Sequence, residues 1–296
     1  MSERRISLDE LNAASREAFV AALGDIFEHA PWVAEAAAPS RPFATVAALH
    51  GAMMRAVETA PADRQLAFLV GHPELAGKVA RAGAMTAASV DEQGSLGLDR
   101  LSEAEFQRFG TRNAAYRARF GFPFIVCVRR HTRDSILDQF ARRLQNAREV
   151  ELKAALAEIG YITRLRLVTE VDGPGVPQTT GRLSTHVLDT VLGRPAGGVR
   201  VVLEEIGASG RGRLVDTRTN SDGRTDAPLM GGAPLRIGTY ELAFDIGAYF
   251  AERRLVAAEP AFLDVVPIRF AIAEPEGHYH VPLLASPWSY TTYRGS

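Results

Sequence analysis

Two groups of polar residues have the types and spacings that proton-transfer chemistry needs. The first is His72-Pro73-Glu74-Leu75-Ala76-Gly77 followed by Ser89-Val90-Asp91-Glu92-Gln93. An imidazole at one helix boundary can pair with a carboxylate in the first turn of the next helix. The carboxylate then raises the basicity of the ring and fixes its orientation. Gln93 adds a donor and an acceptor for a heterocycle. The second group is His186, Arg224, the pair His278 and His280, and the terminal Tyr293-Arg294-Gly295-Ser296. Alternate residues of a strand share a face, so His278 and His280 point together, Tyr279 and Val281 the other way, and His186 goes with Ser184 and Leu188. Neutral imidazole accepts a proton from water near pH 7, and a guanidinium steadies the oxyanion of an attacked carbonyl.

Each residue also has a plainer use. Ser89 and Glu92 have the spacing of a capping box, a His-Pro pair can simply open a helix, and a strand histidine is often only half-buried. Three histidines could hold zinc, but they lack the short ligand pairs of a structural site, so no metal is expected. Cys127 lies in the apolar run Phe124-Ile125-Val126-Cys127-Val128 and reads as a buried hydrophobe, not a nucleophile.

The elements that must position these residues change character along the chain. Its 296 residues are enough for two domains, and 46% hydrophobic with 23% charged residues is the composition of a folded protein. Residues 1–168 read as all-α. Capping boxes are expected at Ser7/Glu10, Ser89/Glu92 and Ser102/Glu105, with an apolar stripe from Arg148 to Val168. Residues 169–180, centred on Gly173-Pro174-Gly175-Val176-Pro177, read as a linker. From 181 to 296 the period becomes two, in runs at Val199–Leu203, Tyr240–Ile246, Val266–Ile272 and Tyr279–Leu283. A turn falls at Asn220-Ser221-Asp222-Gly223 and a short helix at Gly247–Arg254, the pattern of a β-sandwich. A net charge of −1 with scattered arginines argues against a nucleic-acid partner. No stretch has the length of a membrane span and no signal-peptide core opens the chain, so a cytoplasmic location is expected.

The motifs extend these readings. Leu183-Ser184-Thr185-His186-Val187-Leu188-Asp189-Thr190, Asp222-Gly223-Arg224, His278-Tyr279-His280-Val281-Pro282-Leu283-Leu284 and Tyr293-Arg294-Gly295-Ser296 closely resemble 5-hydroxyisourate hydrolase of the transthyretin-like family. The resemblance implies a transthyretin-like sandwich that assembles as a homotetramer, with His186, Arg224, His280 and Ser296 as catalytic positions. Phe27-Glu28-His29-Ala30-Pro31-Trp32, the His72 and Ser89 runs, Asn113-Ala114-Ala115-Tyr116 and Phe120-Gly121-Phe122-Pro123-Phe124-Ile125 resemble OHCU decarboxylase, OHCU being 2-oxo-4-hydroxy-4-carboxy-5-ureidoimidazoline. That likeness implies His72 and Glu92 as catalytic residues and Pro73, Ser89, Gln93 and Ile125 as substrate contacts. It also implies an arginine of the last helix, read as Arg166 with Arg164 one register slip away. Neither family implies a cofactor. Together they imply a bifunctional enzyme that hydrolyses 5-hydroxyisourate to OHCU and decarboxylates OHCU to (S)-allantoin. The alternative is a decarboxylase fused to a non-catalytic transthyretin-like binding module.

Overall fold

The computed structural model describes residues 5–76, 86–98, 101–255 and 260–295. The chain divides into two compact units, Met1–Arg129 with Ile136–Thr179, and Arg130–Ser135 with Thr180–Ser296. Among the described residues no helix is long and apolar enough to cross a membrane.

The first unit is helical: α1 (Leu8–Ala13), α2 (Arg16–Leu23), α3 (Pro31–Ala37), α4 (Val46–Glu58), α5 (Ala62–Val70), α6 (Ala87–Gly94), α7 (Glu103–Phe120), α8 (Arg133–Arg143) and α9 (Arg148–Glu170). Capping boxes start α1 at Ser7/Glu10 and α7 at Ser102/Glu105, as their spacing predicts. The third expected box is not formed. Helix α6 begins earlier, with Thr86 as N-cap accepting from the Ser89 N–H, so Ser89 already lies inside the first turn. The competing cap releases Ser89 and Glu92 from terminal duty and sets Ser89, Glu92 and Gln93 on one helix face.

The end of α9 also differs from the expected boundary. The helix continues to Glu170. Buried Val171 then pairs with Ile6 in a short parallel ladder of β1 (Ile6–Ser7) and β2 (Val171–Asp172). The carbonyls of Pro174 and Gly175 accept from Val46 and Ala47 at the start of α4. Gly175 has φ +61° and its missing Cβ leaves room for Thr45, the N-cap of α4. Residues 171–175, read as part of a linker, therefore finish the helical unit.

A loop without regular structure, residues 122–127, crosses this unit and is buried throughout. Aromatic packing holds it: Phe124 stacks on Phe140 with centroids 3.7 Å apart, and Tyr116 meets Phe120, Phe122 and Phe124. A buried ionic tie fixes its backbone. Arg143 donates to the Ile125 carbonyl at 2.8 Å and pairs with Glu151 at 2.7 Å, while the Tyr116 hydroxyl donates to the same carboxylate. Glu151 and Arg143 are 0% and 3% exposed. Removing one member of such a pair strands the other charge, so Glu151→Ala should destabilise the helical unit by about 3–5 kcal/mol. Urea unfolding checks this, and a change below about 1 kcal/mol, the level of an exposed pair, would contradict it.

The second unit is a β-sandwich. One sheet has the order β7-β6-β8-β9, from β6 (Arg200–Gly207), β7 (Gly210–Arg218), β8 (Gly238–Asp245) and β9 (Val265–Ile272), all antiparallel. Val201, Leu203, Tyr240, Leu242, Phe244, Val266 and Ile268 fill its inner face. The other strands are β3 (Arg182–Ser184), β4 (Val187–Asp189), β5 (Arg194–Pro195), β10 (His278–His280), β11 (Leu283–Ser286) and β12 (Ser289–Thr292). They form the ladder β12-β11-β4-β5 and the parallel pair β10-β3. Helix α10 (Ile246–Glu252) follows β8, close to the helix expected there. Strand β7 gave no alternating apolar signal, because almost all its side chains are solvated.

Candidate active sites

In the helical unit one cleft gathers every residue singled out from sequence. It is about 490 Å³ including its open mouth, and its lining contains His72, Pro73, Ser89, Glu92, Gln93, Ile125 and Arg166. Apolar residues, among them Phe124, Val126, Val128, Ile159 and Ile162, complete the lining. Of the two arginines open in the sequence, Arg166 lines this cleft. Arg164 instead packs its guanidinium over the Tyr161 ring.

Arg166 is held by two carboxylates from distant helices and turns. Its Nε and Nη2 donate to the two oxygens of Glu92 at 2.8 and 3.0 Å, and its Nη1 donates to Glu28 at 2.8 Å. Nη2 also reaches Ser89 Oγ at 3.3 Å. The bidentate pairing fixes both planes. Glu28 was quoted in a sequence motif but given no role. It is 4% exposed, and its other oxygen accepts from the hydroxyls of Thr86 (2.7 Å) and Ser89 (3.0 Å). Burial pushes the Glu28 carboxyl up, but the Thr86, Arg166 and Ser89 hydrogen bonds together hold it below its ordinary value. The next residue, His29, takes φ +51°, a left-handed turn that breaks the chain before Pro31 opens α3. Its signal in sequence was an acid inside an otherwise apolar approach to a proline.

His72 does not pair as its neighbours suggested. Its Nδ1 lies 2.9 Å from the Phe68 carbonyl, and since a carbonyl only accepts, Nδ1 carries the hydrogen and Nε2 the lone pair. Burial against Phe68 pushes its pKa down to about 4, outweighing the Phe68 bond and the Glu28 charge. The expected rise in basicity from Glu92 is thus reversed, because Glu92 is spent on Arg166 and desolvation of the ring dominates. Two further residues of the quoted motifs act as supports. Asn113 donates to the Leu75 carbonyl at 2.8 Å, and Gln93 Oε1 accepts from Ala76 N–H at 3.0 Å. Both brace the turn after Pro73, where Ala76 has φ +52°.

Glu28→Gln removes one of the two charges that orient Arg166, so decarboxylase kcat should fall at least tenfold with the fold kept; unchanged kcat would exclude the role. A histidine with a lowered folded pKa binds fewer protons folded than unfolded. Its contribution is therefore neutral above pH 6.5, and stability is lost as pH falls from 6.5 to about 4. His50, also pushed down to about 4 by burial, acts in the same sense. The acid limb of decarboxylase kcat/KM should then lie near pH 4; a limb near 6.5 would show His72 not to be the essential base.

In the sandwich the second group also converges. Strands β3 and β10 run parallel with Ser184 opposite His280, and Ser184 Oγ lies 3.0 Å from His280 Nδ1 and 3.2 Å from His278 Nε2. His186 bridges to Arg224 in backbone pairing, beside the Asn220–Gly223 turn. His280 and Gly295 exchange backbone hydrogen bonds, at 2.8 and 3.3 Å. Two glycines make these approaches possible. A Cβ on Gly295 would lie 3.0 Å from the His280 ring, and one on Gly223, where φ is +72°, would lie 2.3 Å from the Val187 carbonyl and 3.1 Å from the His186 ring. The pKa values of His186 and His280 are both lowered, first by burial and next by the Arg224 charge. Both rings are therefore neutral bases at pH 7. Among the described residues no group bonds the buried His186 Nε2. Ser296 lies outside the described residues.

Two folds, one with a neutral histidine and a carboxylate-held arginine and the other with neutral histidines in the field of Arg224, define a two-domain enzyme. The chain belongs to the OHCU decarboxylase family, whose model matches residues 12–168, and, in its other half, to the HIUase/Transthyretin family, matched over residues 183–295. It is 54% identical over 117 residues to 5-hydroxyisourate hydrolase 2 of Rhizobium meliloti, 40% of this chain and 98% of that protein. It is 42% identical over 162 residues to 2-oxo-4-hydroxy-4-carboxy-5-ureidoimidazoline decarboxylase of Haloferax volcanii, 55% of this chain and 94% of that one. The crystal structure of an (S)-allantoin synthase is similar over 98% of this chain and 100% of its own, with 34% identity and a TM-score of 0.53.

Proposed function

We propose that the chain is a bifunctional enzyme of urate degradation: the sandwich hydrolyses 5-hydroxyisourate to OHCU, and the helical unit decarboxylates OHCU to (S)-allantoin. The observation that carries the reading is the cleft in which His72, Pro73, Ser89, Glu92, Gln93, Ile125 and Arg166 converge. The relatives over both halves and the two-domain neighbour support it.

In the hydrolytic step His280 takes a proton from water, Arg224 steadies the oxyanion on the ring carbonyl, and His186 orients water or ring. The new C–O bond forms, the ring C–N bond breaks, and the ring nitrogen receives a proton. Ser296 contributes its hydroxyl. In the second step the lone pair on His72 Nε2 accepts the substrate hydroxyl proton. The C–C bond to the carboxylate breaks, CO2 leaves, and the electron pair enters the adjacent C=N. Protonation on one face, with Glu92 and Arg166 fixing the ring and Pro73, Ser89, Gln93 and Ile125 lining it, gives one enantiomer. The exposed apolar side chains Trp288, Tyr290 and Tyr293 around β12 suit burial against further copies, so the reading includes a homotetramer built through the sandwich, acting in the cytoplasm.

Freshly generated 5-hydroxyisourate should be consumed in two successive phases, ending in optically active allantoin by circular dichroism. His280→Ala should slow the first phase about 100-fold or more and His72→Asn the second, each leaving the other phase intact. Racemic allantoin formed at the spontaneous rate would defeat the assignment.

A further inference from the structure

We propose that Ser184 and His278 form a proton relay behind His280, holding the proton between the two halves of the hydrolytic step. The inference rests on the hydrolase reading of this site. Parallel pairing of β3 with β10 sets Ser184 opposite His280, and the pleat turns His278 to the same face two residues earlier. Ser184 Oγ, on a residue 8% exposed, thereby lies within hydrogen-bond reach of both rings, at 3.0 Å from His280 Nδ1 and 3.2 Å from His278 Nε2.

A hydroxyl has one hydrogen, so between two imidazoles it must accept from one and donate to the other. Two arrangements satisfy all three groups. In the first, His280 Nδ1–H donates to Ser184 Oγ, whose O–H donates to His278 Nε2, and His280 Nε2 keeps a lone pair for water. In the second every hydrogen bond is reversed. When Nε2 takes the proton of the attacking water, the ring would become a cation beside Arg182, His186, Arg224 and His278, four groups that oppose positive charge there. Passing Nδ1–H to Ser184 while Ser184 passes its own hydrogen to His278 leaves His280 neutral with its proton on Nε2. The charge then rests on His278, which is exposed to solvent. As the ring C–N bond breaks, Nε2–H protonates the departing nitrogen and the relay runs back. Water supplies a hydroxyl to carbon and a proton to nitrogen, and the relay is restored.

The test uses the full-length protein, 5-hydroxyisourate and stopped-flow absorbance in H2O–D2O mixtures. An unchanged far-ultraviolet circular-dichroism spectrum reports that the sandwich of each variant is folded, and turnover of separately supplied OHCU reports the same for the helical unit. Ser184→Ala should lower the hydrolytic kcat about tenfold to 100-fold with KM within about twofold, and Ser184→Thr, which keeps the hydroxyl, should recover most of it. His278→Gln, at an exposed position, should lose kcat similarly and regain it with added imidazole. A proton inventory curved in the wild type should become linear in Ser184→Ala. Wild-type kcat and isotope effect in both Ser184→Ala and His278→Gln would refute the relay alone. Failure of the wild type to consume 5-hydroxyisourate above the spontaneous rate would refute the hydrolase reading, and the relay with it.

Discussion

The guanidinium of Arg166 is the tie on which the helical site depends. It collects a carboxylate from the turn before α3 and another from α6 onto the last helix, contacts that span 138 and 74 residues of chain. Two carboxylates on one guanidinium leave the cluster with a net negative charge, stable there because every oxygen is bonded: Glu28 Oε1 accepts from two hydroxyls and the other three accept from the guanidinium. Since the arginine already serves both acids, an incoming carboxylate must compete for it.

The sandwich solves a different problem, that of bringing groups from three sequence regions onto one face. Parallel register does most of this, because it sets Ser184 against His280 and lets Leu283 N–H reach the His186 carbonyl. Close approach does the rest. The His280 ring lies on Gly295 and the His186 ring against Gly223, so the Asp-Gly-Arg turn and the Arg-Gly end are spatial requirements of the histidines as well as carriers of arginine.

Much of this was legible in the residues. Period 3.6 and period two separated the halves because each element hides one face, and the motifs named the residues that meet in the cleft. What escaped was whatever depends on a competitor. Ser89 and Glu92 match a capping box, yet Thr86 caps α6 and the pair faces the cleft instead. Residues 171–175 look like a tether by composition, but their carbonyls complete the start of α4. Glu28 gives no sign in one dimension that its partner is Arg166, since ion pairing over such separations leaves no periodic trace. Strand β7 is solvated on nearly every side chain and so has no alternation to read.

Both sites hold neutral imidazole, with burial the first cause in each, but they differ in what is added to it. His72 is neutral because it is walled in by Phe68 and its Nδ1–H is committed to a backbone carbonyl, a static device that leaves a single lone pair on a fixed nitrogen. His280 is only half-buried, and its neutrality comes first from that burial and next from the positive field of Arg224 and the neighbouring rings. That field is an advantage when an oxyanion forms, yet it opposes the imidazolium that general-base catalysis creates a moment later. A decarboxylase can tolerate a static base, because the proton it removes and the proton it delivers belong to different atoms and different stages. A hydrolase that must return the proton to a leaving nitrogen needs somewhere to keep it, and Ser184 with His278 are the groups within reach.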